Sequence, residues 1–173
     1  MTKSLVEIHP QLARVVTATS RPIRSGEEHG REYYFFTKDE FLNKVVEGEI
    51  LEHTYVELRD VYYGTYKPDL ERKIASGKTI ILNTDIVGVR FFRKEYHVLA
   101  IFIDLPSLEL VRTRLKKRNP EMTSELIELR VRQAEMEIAN ERGEYDYHVL
   151  NQEGELDATL VRVEEILRKE VYI

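Results

Sequence analysis

Four short apolar runs constrain this chain more than any other feature: ARVVTA (13–18), TIILN (79–83), HVLAIFID (97–104) and YHVLN (147–151). Each is continuously apolar rather than alternating, the pattern of a strand covered on both faces in a parallel sheet. Segments with helical spacing lie between them. Thr37 followed by Glu40 predicts a capping box opening KDEFLNKVVE, with Gly48 beyond its end. Pro68 suits the first position of a helix running through Ala75 and stopped by Gly77. Ser107 suits the N-cap of a helix carrying Leu108, Val111 and Leu115 on one face. Ile127, Val131, Ala134 and Ile138 form a second stripe, and Leu156, Leu160, Val163 and Leu167 a third. Strands alternating with amphipathic helices predict an α/β fold with a parallel sheet. Residues 21–66 break the rhythm, and their alternating segments EYYFF and ILEHTYVEL predict a small antiparallel insertion on that core.

At 173 residues the chain has room for one domain with small inserted subdomains. Hydrophobic residues at 42% and charged residues at 33% are the balance of a globular protein. The absence of cysteine excludes a disulfide framework or a thiolate metal site and fits a reducing cytoplasm. Its longest apolar stretch, VLAIFI (98–103), is too short to cross a bilayer, so the expectation is a cytoplasmic protein without a membrane partner. A formal net charge of -5 argues against general nucleic-acid binding, which needs a broad cationic face. Any anion site must therefore be local. The five histidines show no metal-ligand spacing, and no protein metal site is expected.

RPIRSGEEHGREYYF (21–35) is the place for such a site. A phosphate monoester is held well by guanidinium forks supplemented by phenol hydroxyls, and Arg21, Arg24, Tyr33 and Tyr63 supply those groups. The plainer reading is that the arginines decorate a solvated loop and the tyrosines are half-buried strand residues. Downstream, GEILEHTYVELRDVYYGT and NTDIVG add Glu52, Thr65 and Asp85. Guanine offers donors at N1 and N2 and an acceptor at O6, so a pocket selecting it needs carboxylates and a hydroxyl or amide. The same carboxylates would reject adenine, whose N1 is an acceptor. Taken singly, Glu52 also fits a surface strand and Asp85 an ordinary cap. Asp85 does follow a predicted parallel strand, where ligands of open α/β sheets collect.

The ordered set TATSRPIRSGE, GREYYF, DEF, GEILEH, YYGT, TDIVG, RTRLKKR and EYDYHVLN resembles the guanylate kinases from about residue 8 to 168. The resemblance implies a nucleoside-monophosphate-kinase fold in a single domain over 1–173, with a parallel core, a GMP-binding insertion at 21–66 and a helical lid at 112–142. It implies that Arg21, Arg24, Tyr33 and Tyr63 grip the phosphate of GMP or dGMP, assisted by Thr17, while Glu52, Thr65 and Asp85 read the base. Arg114, Arg118 and Arg130 would close over the nucleotides and neutralise charge on the transferring phosphoryl group, with ATP and Mg2+ as co-substrate and cofactor. Without the family, RTRLKKR also fits a solvated basic helix face. Asn151 would lie near the adenine of ATP.

The resemblance further implies a buried first strand followed by GxxxxGK[ST], whose amides and lysine cradle the ATP phosphates. Residues 1–173 contain no such motif; MTKSL has Lys-Ser without the glycines. The expectation is that this chain starts partway along the helix that follows the loop. Its own catalysis is thereby left open, and an open sheet edge could pair with another copy. Asn83 stands where the family commonly has aspartate, Asn119 replaces a lid glycine, and the segment from Glu52 to Tyr63 is slightly lengthened. Two readings follow: an ATP:GMP phosphotransferase, or a non-catalytic module that binds GMP or a phosphorylated protein.

Overall fold

ARVVTA does not form one strand. In the computed structural model, which describes residues 1–173 apart from the side chains of Arg118 and Glu137, it splits between two sheets. The chain divides into two units, Met1–Val98 with Ile173, and Leu99–Tyr172. The first holds α1 (Thr2–Ile8), β1 (Leu12–Arg14), β2 (Ala18–Thr19), β3 (Tyr34–Phe35), α2 (Lys38–Val46), β4 (Ile50–Val56), β5 (Val61–Tyr66), α3 (Lys67–Ile74), β6 (Thr79–Ile81) and α4 (Ile86–Phe92). β1 pairs with β6 in parallel, Leu12 opposite Thr79. β2 joins a four-stranded sheet of order β3-β2-β5-β4.

That second sheet is the insertion, and it is mixed rather than antiparallel. β4 and β2 run antiparallel to β5, but β3 runs parallel to β2. The loop over residues 20–33 carries the chain back before β3 starts, which makes the parallel pairing possible. On this sheet α2 seats Phe41 against Ala18 and Ile50, surrounded by Tyr34, Phe36, Tyr62 and Tyr66. The helix begins with the expected capping box: Thr37 Oγ1 accepts from the Glu40 amide, and the Glu40 carboxylate accepts from the Thr37 amide. A second cluster, built on Val15, Leu70 and Phe92, packs with Ile80, Leu82 and Leu51.

The crossing from β1 to β2 is held by a buried carboxylate. The Val15 amide still donates to the Ile81 carbonyl, but the next amide, Val16, donates to Asp69 Oδ2 at 2.8 Å. Asp69, in the first turn of α3 and 1% exposed, also accepts from Lys73 Nζ at 2.6 Å, from the Tyr34 hydroxyl at 3.2 Å and from Arg72. Lys73 Nζ reaches the Arg14 carbonyl as well. Pro68, at the second position of α3 rather than the first, has no amide to leave unpaired there.

The second unit contains β7 (Ile101–Asp104), α5 (Leu108–Arg118), α6 (Ser124–Glu141), β8 (Tyr147–Leu150) and α7 (Leu156–Lys169). β7 and β8 are parallel, with Ile101 opposite Tyr147. Ser107 caps α5 as expected, its hydroxyl accepting from the Leu110 amide. Ile127 and Val131 on α6 are buried, as are Leu160, Val163 and Leu167 on α7; Leu156 is exposed.

Burial pushes the Asp69 carboxyl up, yet Lys73, the Val16 amide and Arg72 outweigh it and hold the group below its usual 3.8. Its contribution to stability is therefore complete above that usual value and fades as pH falls through the lower folded one. Asp69→Ala should lose about 3 kcal/mol at neutral pH, because the Lys73 ammonium and the Val16 amide lose their acceptor. Urea melts at pH 7 and below pH 3.8 test this: the gap between variant and parent should narrow in acid.

Candidate functional site

The loop after β2 turns Arg21 inward. Its amide donates to Thr19 Oγ1, and Thr19, fully buried, donates to the Tyr62 carbonyl. The guanidinium, on a residue only 8% exposed, lies 5.1 Å from the Tyr33 ring centre and 5.2 Å from that of Phe35. Tyr33 meets Tyr63 of β5 edge to face at 5.8 Å. Three of the four phosphate candidates thus share one place. The fourth, Arg24, lies exposed on the same loop with its amide donating to Glu27. Thr17 precedes β2, and its carbonyl accepts from the Tyr34 amide.

Sequence reasoning missed Glu27. It takes both terminal nitrogens of Arg21, at 2.6 and 2.7 Å, and Arg21 Nη1 also donates to the Pro22 carbonyl. The Arg21 bond holds the Glu27 carboxyl down to about 2. Among the described residues this pairing leaves Nε–H and the second Nη2–H without an acceptor, two parallel donors on one edge of the guanidinium, suited to a pair of phosphate oxygens. The signal in the sequence was only a glutamate six residues on from Arg21.

Across β4 and β5, Glu52 and Thr65 meet. Glu52 is 8% exposed, Thr65 is fully buried, and the Thr65 hydroxyl donates to Glu52 Oε1 at 2.6 Å. The close approach of these strands depends on Gly64, where a Cβ would sit 2.5 Å from the Glu52 carbonyl oxygen. Burial pushes the Glu52 carboxyl up, the Thr65 hydroxyl opposes this, and the charge of Asp85 adds to the rise. Asp85 is the N-cap of α4: Oδ1 accepts from the Val87 and Gly88 amides, and Oδ2 accepts from the Thr54 hydroxyl at 2.6 Å. Thr54, unremarked in the sequence, ties this carboxylate to β4. The three base-reading candidates are therefore gathered, two buried carboxyl and hydroxyl groups with a fixed carboxylate beside them.

In the second unit, Arg114 lies on α5 and Arg130 on α6; the Arg118 side chain lies outside the described residues. Arg112, not singled out from the sequence, joins these helices. Arg112 makes a two-pronged bond to Glu128, at 2.6 and 2.8 Å, and pairs with Glu109. Asn151 follows β8, its amide donating to the Asp104 carbonyl and its Oδ1 accepting from buried Thr159.

This arrangement of parallel ladders, mixed insertion sheet and helices is a nucleoside-monophosphate-kinase-like α/β fold: it matches the crystal structure of guanylate kinase from Anaplasma phagocytophilum with a TM-score of 0.77 and 32% identity, over 98% of this chain and 79% of that one. The guanylate kinase family model matches residues 1–170. Guanylate kinase from Bacteroides thetaiotaomicron is 37% identical over 163 residues, 92% of this chain and 78% of that protein. For Porphyromonas gingivalis guanylate kinase the identity is 43% over 125 residues, and the match spans 71% of this chain and 65% of the relative. The chain belongs to the guanylate kinase family.

A raised Glu52 means that the folded chain holds this proton better than the unfolded one, so ionising the group as pH rises costs stability. Glu52→Gln keeps an acceptor for Thr65 without the buried charge. Its melting temperature at pH 7 should exceed the parent's, with the advantage gone below the ordinary value of 4.5, as a thermal-melt series against pH would show.

Proposed function

We propose that the chain binds GMP or dGMP through its first unit and serves the reaction ATP + GMP to ADP + GDP. The observation that carries this reading is the buried Glu52–Thr65 pair with Asp85 fixed beside it, in the same unit as Arg21, Tyr33 and Tyr63. Carboxylates there accept from guanine N1–H and N2–H, and adenine would set acceptor against acceptor. Arg21 offers its free edge to the phosphate, with Arg24, Tyr33, Tyr63 and Thr17 completing the clamp.

In the phosphoryl-transfer step, Arg114, Arg118 and Arg130 neutralise the charge that spreads over the transferring group, and Asn151 lies against the adenine of ATP. Mg2+ enters with ATP in this reading and is assigned no protein ligand. Among the described residues no helix is long and apolar enough to cross a membrane; a cytoplasmic location goes with the guanylate kinase reading and not with that absence. Asn83, where the family commonly has aspartate, favours a second reading, a module that binds GMP or a phosphorylated protein without transferring phosphate.

Calorimetric titration of the chain separates GMP from AMP. Binding of GMP should be at least about a hundredfold tighter, since a buried pocket left with unpaired polar groups rejects the wrong base strongly. Asp85→Asn and Glu52→Gln should each narrow that gap. Coupled-assay ADP formation with ATP and GMP decides between the two readings; a chain that binds GMP and forms no ADP is the module.

A further inference from the structure

The hairpin joining β4 to β5 carries an arginine that none of the foregoing uses. Its tip is a single 3-10 turn, Glu57–Arg59, closed by Asp60 in the left-handed conformation at φ 54°. Both sides of the turn are tied down. Asp60 pairs with Lys38 of α2 and accepts from the Tyr55 hydroxyl at 2.6 Å, a bond that pushes the Tyr55 phenol up to about 12. From this held turn Arg59 folds back along β5. Its guanidinium lies 5.5 Å from the Tyr63 ring centre, and Nη1 reaches the Tyr63 hydroxyl at 3.5 Å.

Tyr63 is the phenol that meets Tyr33, and Tyr33 is the phenol under Arg21. Two guanidinium groups therefore flank one pair of tyrosines. They differ in charge balance: Arg21 is paired through both terminal nitrogens with Glu27, whereas Arg59 forms no salt bridge among the described residues. A dianionic phosphate attracts an uncompensated cation more strongly than one already neutralised. We propose that Arg59 is a further ligand of the phosphate monoester, supplied by the hairpin tip and aligned by stacking on Tyr63.

The assignment rests on the GMP reading for its ligand and for the phosphate position at Tyr33 and Tyr63, and not on its reading of the base. The test is calorimetric titration of the full chain and of Arg59→Ala and Arg59→Lys with GMP, AMP and guanosine, with circular dichroism to establish that each variant is folded. Arg59→Ala should weaken GMP about tenfold, or about 1.4 kcal/mol. Guanosine, which lacks the phosphate, should change less than about twofold, and lysine should restore part of the loss, because it returns the charge without the planar fork. Equal GMP affinity in parent and alanine variant overturns the assignment. So does an equal loss for GMP and guanosine, which would mark a structural role. A parent that holds GMP no better than AMP sinks the guanine reading instead; Arg59 then still stands if alanine weakens both nucleotides alike. A parent that binds neither nucleotide ends both.

Discussion

One buried carboxylate sets the relation between the first ladder and the insertion sheet. Backbone leaving β1 cannot remain paired with β6 and also enter β2, so one amide must be satisfied elsewhere, and that amide is Val16. Asp69 provides the acceptor. Being charged and buried, it then requires its own compensation, which Lys73, Arg72 and the Tyr34 hydroxyl supply from α3 and β3. Every partner is therefore constrained by the same group. The strand exit, the start of α3 and the position of β3 are coupled through two oxygen atoms, and Tyr34 lies next to Tyr33 of the candidate clamp.

The site is built on interactions that oppose stability. Glu52 sits in low dielectric near a second carboxylate, a combination that raises the cost of its charge and that a hydrophobic pair would avoid. Arg21 shows the opposite tactic. Buried alone it would be costly, but Glu27 neutralises it and also fixes its plane, so the unused edge is oriented before any ligand arrives.

What could be read from the chain depended on how local the physics was. The capping box at Thr37 and Glu40 and the Ser107 cap rest on contacts within a few residues, and the structure contains both; of the stripe Ile127, Val131, Ala134 and Ile138, the first two are buried and the other two half-buried. The split of ARVVTA was not legible, since hydrophobicity alone cannot show that an aspartate 53 residues away takes the Val16 amide. Nor was the direction of β3: alternation in EYYFF reports faces, and both pairing directions give the same faces. The gathering of Glu52, Thr65 and Asp85 was anticipated from donor and acceptor chemistry. Thr54 went unseen because its partner Asp85 lies 31 residues away, and the Arg21–Glu27 and Arg59–Tyr63 contacts because an irregular loop and a 3-10 turn carry no periodicity that pairs such residues.

An acidic chain that binds an anion must concentrate uncompensated positive charge where the anion goes. At a net charge of -5, with 26 basic residues against 31 acidic, many cations here have a carboxylate to meet. Lys73 and Arg72 are committed to Asp69, Arg112 to Glu109 and Glu128, and Arg31 to Glu28 and Glu32. Among the described residues Arg14, Arg24, Arg59, Arg114, Arg132 and Arg162 form no salt bridge, and Arg14 and Arg162 donate instead to carbonyls. Of these, Arg24 and Arg59 lie on the loop and hairpin that also supply Arg21 and Tyr63. Because an ion pair already formed contributes little net field beyond a Debye length of about 8 Å, the potential that an incoming nucleotide meets is set by the cations left over. On the GMP reading, their placement matters more than the total number of arginines.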